Sequence, residues 1–249
     1  ETSANNATNL SLGWALATYE FSRYKKSSKR FPHLVAPKNC DLALVKSFTQ
    51  SIFWARDMIN MPANQMTPAA LANEAANWAK NQKGKVTVIS GEELLKENYP
   101  MIYAVGKAAA IHPHLIDIKF IRSGAPKITL VGKGVTFDSG GLDIKSADGM
   151  KMMKKDMGGA ANVLALARVI IESGLPVQLR VLIPTVENAI AGNAMRPLDI
   201  VPTRKGINVE IGNTDAEGRL ILCDALFEAD SESPDLLIDC ATLTGAARV

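Results

Sequence analysis

KITLVGKGVTFDSGGLDIKSADGMKMMKKDMGGAANVLALA, residues Lys127–Ala167, reads as a strand, a glycine-rich turn, a polar loop and a helix. The run Lys127–Gly132 is short, apolar and β-branched, as a strand buried in a sheet requires. Beyond it come Lys133, Asp138 and Gly140-Gly141, so a sharp turn is expected where the polar groups begin. From Met157 onward Ala160, Val163, Leu164, Ala167, Ile170 and Ile171 recur at helical spacing. Asp156 stands just ahead of that helix, where a carboxylate suits the positive end of the dipole. Ligands of open α/β sheets bind beyond the carboxyl ends of the strands, which is where Lys133, Asp138 and Asp156 belong.

A second stretch has the same form. The apolar run Ile207–Gly212 is expected to be a strand, followed by Asn213-Thr214-Asp215-Ala216-Glu217-Gly218-Arg219-Leu220 and a helix carrying Ile221, Leu222, Ala225 and Leu226. If the two strands are neighbours, their turns bring Asp138, Asp156, Asp215 and Glu217 together with Lys133. Four carboxylates in one place repel unless cations hold them, and oxygen-rich clusters of this kind suit paired divalent metals. Taken singly, Asp215 reads as a helix N-cap and Asp138 as an Asx-turn residue. Two long motifs, each at a strand end, favour the metal reading.

Three segments resemble signatures of the leucyl aminopeptidase family, the cytosol aminopeptidases or M17 metallopeptidases: G-K-G-V-T-F-D-S-G-G, N-T-D-A-E-G-R-L, and Arg56–Asn64 followed by Thr67-Pro68. The resemblance covers nearly the whole chain. It implies an α/β catalytic domain with a mostly parallel or mixed sheet and helices on both faces. It also implies that residues 1–40 close a smaller N-terminal domain not contained in this sequence. Residues 41–249 would then be the catalytic domain, incomplete at its C-terminal end.

Site residues carry over position by position. One metal would use Asp138, Asp215 and Glu217; the other would use Lys133, Asp138, Asp156 and Glu217. Zn²⁺ or Mn²⁺ is the implied pair, and Lys133 ligates only as the neutral amine. Lys133 alone reads as an ordinary salt-bridge partner. Lys145 and Arg219 match two catalytic cations: Lys145 would stabilise the oxyanion, and Arg219 would hold a bicarbonate serving as general base. Met153 and Thr242 match a side-chain pocket, with backbone contacts at Leu243 and Gly245. Alone, Lys145 and Arg219 read as surface cations, and Met153 as a core residue. The implied reaction removes N-terminal, leucine-like residues from peptides with a free α-amino group, in a homo-oligomer that is hexameric in the family.

Composition sets the remaining bounds. The chain has 249 residues, 47% hydrophobic and 21% charged, which supports one substantial core. A net charge of +3 is too small to argue for a nucleic-acid partner. Three separated cysteines fit reduced thiols in a cytoplasmic protein, and no stretch is long and apolar enough to span a membrane. A helix carrying Leu10, Trp14 and Tyr19 is expected before the basic run Lys25–Arg30. Further helices are expected at Leu42–Asn60, from a Thr67-Pro68 cap with Leu71, Ala75 and Trp78 inward, and at Gly91–Glu97. Strands are expected at Val86–Ile89, His114–Ile121, Val177–Thr185 and Asp235–Leu243, and a loop at Glu187–Pro202. His112 and His114 flank a proline and read as a turn rather than a metal site. Gly158-Gly159 read as close helix packing, since no phosphate-loop spacing is present. Two other functions remain open: a two-metal phosphoesterase, and a DNA-binding accessory protein with a dead site. The second is weakened because all seven matched ligand and catalytic positions are intact.

Overall fold

The computed structural model describes residues 3–27 and 29–245. In chain order these form α1 (Ala4–Ala17), α2 (Leu42–Asn60), α3 (Pro68–Asn81), β1 (Lys85–Ser90), α4 (Glu93–Lys96), α5 (Pro100–Gly106) and β2 (His114–Phe120). Next are β3 (Lys127–Gly132), β4 (Gly134–Asp138), α6 (Ala147–Met150), a 3₁₀ turn at Met153–Met157, and α7 (Gly158–Glu172). The chain continues with β5 (Gln178–Asn188), β6 (Ile200–Pro202), β7 (Asn208–Glu210), a 3₁₀ turn at Thr214–Ala216, α8 (Glu217–Asp230) and β8 (Leu236–Cys240).

Side chains alternate across a strand, and here the alternation divides the core in two. Ile116, Leu130, Val181 and Ile183 face α2, α3 and α7, packing with Met58, Leu71, Ala75, Val163 and Leu164. Their sequence neighbours Leu115, Val131 and Leu182 face α5 and α8, packing with Ile102, Ile221 and Ala225. Each fully buried aliphatic side chain contributes about 1.5–3 kcal/mol. The sheet is therefore covered on both faces, as an α/β protein with a mixed sheet requires.

Strand order is β1-β2-β5-β3-β8, with β4 also on β5. The β3–β5, β3–β8 and β4–β5 pairs are parallel, whereas β1–β2 and β2–β5 are antiparallel. Parallel strands aim their carboxyl ends at one edge, so the ends of β4, β5 and β8 lie together.

Local chemistry sets the helix starts. The Asp41 carboxylate accepts the Leu44 N–H at 2.9 Å, and α2 begins where expected. Thr67 Oγ1 accepts the Ala70 N–H at 3.2 Å with Pro68 at the first helical position. Gly159 is the contact residue between α7 and β8: a Cβ there would overlap the Cys240 carbonyl. His114 opens β2, as expected of a turn before a strand.

Some expectations fail locally. The sharp turn expected after Gly132 does not occur; the chain crosses Lys133 and continues as β4, turning only at Gly140-Gly141, where φ is +88° and +67°. Ile207–Gly212 is not a neighbour of β3. Only Asn208–Glu210 is a strand, and it forms a separate hairpin with β6, a strand that lies inside the loop expected at Glu187–Pro202. Polar, exposed Asn208 and Glu210 cannot enter the buried sheet, and Gly206 at φ +83° closes the hairpin. The strand expected at Asp235–Leu243 stops at Cys240, and α5 was not anticipated.

Candidate metal centre and active site

Lys133 occupies the break between β3 and β4. Its N–H donates to the Cys240 carbonyl at 3.0 Å, and its own carbonyl accepts from Ala160 N–H at 2.9 Å. Backbone pairing to both neighbours points the side chain beyond the sheet edge. There Nζ stands 2.7 Å from Asp156 Oδ2 and 2.9 Å from Glu217 Oε1. All three side chains are at most 3% exposed. Asp156 comes from the 3₁₀ turn before α7, and Glu217 is the first residue of α8. Gly218 makes room for the lysine, since a Cβ there would lie 2.5 Å from Lys133 Cε.

A second cation answers the other two carboxylates. Lys145 Nζ lies 2.5 Å from Asp215 Oδ1 and 3.1 Å from Asp138 Oδ2. Asp138 ends β4 and is buried, while the Asp215 side chain remains one-third exposed. The Asx-turn reading of Asp138 also holds, because its Oδ1 accepts the Gly140 N–H at 2.9 Å. The N-cap reading of Asp215 does not: Asn213 is the cap, its Oδ1 accepting the Asp215 N–H at 2.7 Å. Asp215 is thereby left facing the cluster.

Two ammonium groups face four carboxylates, so the cluster keeps an excess of negative charge. Asp138, Asp156 and Glu217 can each offer an oxygen such that all three lie within 4.8 Å of one another. Glu217 Oε2 is buried with no hydrogen-bond partner among the described residues, a costly state for a carboxylate oxygen unless a cation serves it. Burial first, then the charges of Asp138 and Asp156, push the Glu217 carboxyl up to about 7 against the pull of Lys133. Burial likewise raises Asp156. Burial draws the Lys133 ammonium down, but the charges of Glu217 and Asp156 outweigh it and hold the group above its ordinary value. A buried, oxygen-rich set with excess negative charge and an unserved oxygen fits divalent cations.

These groups floor a cleft of about 780 Å³. Every residue singled out from the sequence borders it: Lys133, Asp138, Lys145, Asp156, Asp215, Glu217 and Arg219, with Met153, Thr242, Leu243 and Gly245 on its walls. Arg219 is exposed and makes no salt bridge among the described residues. His112 and His114 do not border the cleft.

Residues 53–249 match the cytosol aminopeptidase family, catalytic domain. The chain belongs to this family. Among curated relatives, peptidase B of Pasteurella multocida is 43% identical over 208 residues, covering 79% of this chain and 48% of its own. A probable cytosol aminopeptidase of Xanthomonas axonopodis is 43% identical over 210 residues, covering 84% and 43%. The crystal structure of the Coxiella burnetii cytosol aminopeptidase superposes with a TM-score of 0.92 at 51% identity, over 96% of this chain and 52% of that one. The Caenorhabditis elegans leucine aminopeptidase gives 0.91 at 37% identity, over 98% and 52%. A bottromycin maturation enzyme in complex with Mn gives 0.88 at 34% identity, over 98% and 54%. The chain thus spans about half the length of the cytosol aminopeptidases it matches. No described helix is long and apolar enough to cross a membrane.

Some residues, and some roles, in the site escape motif reading. Thr242, expected only as a pocket wall, donates from Oγ1 to Asp156 Oδ1 at 2.7 Å. Asp143 Oδ2 accepts the Thr214 N–H at 2.7 Å and pins the loop after β4 to the Asp215 turn. Asn188, read as loop, ends β5 and bonds Asp138. A strand-end position in a parallel sheet was the available signal for Asn188.

Proposed function

We propose that this chain carries the catalytic domain, within residues 41–249, of a two-metal aminopeptidase that releases N-terminal, leucine-like residues from peptides. One observation carries the reading: three buried carboxylates converge on a cleft that also holds Lys145 and Arg219, and one of their oxygens is unserved. Asp138, Asp215 and Glu217 would hold one ion; Lys133, Asp138, Asp156 and Glu217 would hold the other. Zn²⁺ and Mn²⁺ are the ions we infer, and the Mn complex of a family relative supports the choice. When bound, such ions supply Lewis-acid charge and a water acidic enough to be a nucleophile near neutral pH.

The chain's own groups account for the rest. Lys145 is only partly buried and sits on the loop after Gly140-Gly141, so its ammonium can reach a scissile carbonyl and stabilise the developing oxyanion. Arg219, exposed at the cleft, is free to hold an anion such as bicarbonate beside the reacting carbonyl, there to accept a proton. Met153 and Thr242 offer a soft apolar wall for a leucine-like side chain. The substrate's free α-amino group would bind one of the two ions, which restricts cleavage to the N-terminal residue. By family resemblance we infer a homo-oligomer, a hexamer as is typical of the family.

The test is hydrolysis of a leucine chromogenic amide by chelated protein, with Zn²⁺ or Mn²⁺ restored, beside an N-acetylated substrate and an Asp156→Asn variant. Metal-restored cleavage of the free amine alone, lost in the variant, is expected. A protein that neither binds metal nor cleaves would overturn the proposal.

A further inference from the structure

Asp138 uses its two carboxylate oxygens differently. Oδ1 accepts from the Gly140 N–H and from the side-chain amide of Asn188, both at 2.9 Å, whereas Oδ2 faces Lys145. Asn188 is 2% exposed and lies opposite Asp138 in the β4–β5 ladder. Its backbone is held as well, the carbonyl accepting from Ser139 N–H at 3.1 Å and Ser139 Oγ at 2.7 Å. The second amide hydrogen goes to the Thr214 carbonyl at 3.1 Å, one residue before Asp215. Both neighbours of the amide nitrogen are acceptors, which fixes the orientation of the side chain.

One neutral side chain therefore joins two segments distant in sequence, the end of β4 and the turn before α8. Their carboxylates, Asp138 and Asp215, share a single cation. An amide suits the task because it supplies two donors in a fixed fork and adds no charge to a cluster already rich in carboxylates.

We propose that Asn188 is a positioning residue of the metal-holding cluster, selecting Oδ2 of Asp138 as the oxygen offered to the ion and setting its spacing from Asp215. This rests on the metal reading above. Saturating Oδ1 with two N–H donors leaves that oxygen poor in free lone pairs. Oδ2 therefore carries the ligating role, and the Thr214 tether brings Asp215 to the same ion.

The test titrates the chelated protein with Mn²⁺ by isothermal calorimetry, comparing the parent with Asn188→Ala. Thr136→Val is the control: it removes another buried hydrogen bond on the same pair of strands, Thr136 Oγ1 to the Val186 carbonyl at 3.2 Å, away from the cluster. Urea denaturation of the metal-free proteins establishes folding. We expect Asn188→Ala to unfold near the control's midpoint yet to bind at least one Mn²⁺ tenfold or more weakly, while Thr136→Val keeps parental affinities. Equal Mn²⁺ affinities in Asn188→Ala and parent would overturn the inference. So would an Asn188→Ala chain that fails to fold where the control folds, because the residue would then serve the fold. A parent that binds no Mn²⁺ would overturn the metal reading itself, an outcome visible without the variant.

Discussion

Replacing Lys133 by methionine keeps the side chain as far as Cε and removes the charged Nζ. In the parent, Nζ lies 2.7 Å from Asp156 and 2.9 Å from Glu217, each side chain at most 3% exposed. Without it, two carboxylates with oxygens within 4.8 Å of one another face each other. At an effective dielectric of 20 that repulsion is about 3.5 kcal/mol, in line with the about 3–5 kcal/mol lost when one partner of a buried pair is removed. The loss depends on pH. Glu217 already titrates near 7 in the folded parent, above its ordinary 4.5. A folded-state carboxyl raised in this way keeps a proton that the unfolded chain gives up. Metal-free stability therefore declines as pH rises from about 4.5 through the folded pKa, and more so in the variant, whose carboxyls lose their counter-charge. The expected loss is about 1 kcal/mol at pH 5, that of the missing hydrogen bonds, and about 3.5 kcal/mol at pH 8. Urea denaturation of chelated parent and variant at the two pH values measures it. An equal loss at both would refute the electrostatic account and leave Lys133 a packing residue.

Other perturbations probe different parts of the structure. Gly218→Ala places a Cβ 2.5 Å from Lys133 Cε, where the confined lysine cannot withdraw; a loss of about 1–3 kcal/mol is expected in urea denaturation. Thr242→Val keeps the shape of the cleft wall but removes the 2.7 Å bond to Asp156, and should cost about 1.5–3 kcal/mol in the metal-free protein by the same measurement. Arg180 is 4% exposed and serves Asp117, Glu228 and Glu232, so Arg180→Met should cost about 3–5 kcal/mol in thermal or urea unfolding. Burial tends to raise Glu228, but Arg180 and Arg204 outweigh it and hold the carboxyl below its usual range. Its contribution to stability is therefore present above about pH 4.5 and lost as pH falls, and Glu228→Gln should flatten that acid limb.

Periodicity and caps made much of the fold legible. The expected helix Leu42–Asn60 has the bounds of α2, and Leu71, Ala75 and Trp78 are the inward face of α3. What misled was the onset of polar residues at Lys133, which suggested a turn where the chain runs on. The glycines flanking it serve close approach instead: a Cβ at Gly132 would lie 2.5 Å from Val163 Cγ2, and one at Gly134 2.7 Å from the Pro184 carbonyl. Partners remote in sequence were equally hidden. Helix α5 begins where Asp224, 123 positions on, accepts the Met101 N–H at 2.8 Å. No local pattern announces that bond. At the site, motif reading named the residues that border the cleft, while Asn188, and the role of Thr242 in orienting Asp156, became visible only through their hydrogen bonds.

The position of Lys133 has a kinetic consequence. Its ammonium meets a carboxylate 23 residues away and a carbonyl 109 residues away, while its backbone is shared between β8 and α7. Such contacts close long loops, and their entropy is lost before any binding energy returns. The cluster cannot exist until the turn carrying Asp156 and the start of α8 have docked beside Lys133. Capture of a divalent ion during refolding would thus report that docking, and a chain arrested earlier would present its acidic residues singly, each as an ordinary surface carboxylate.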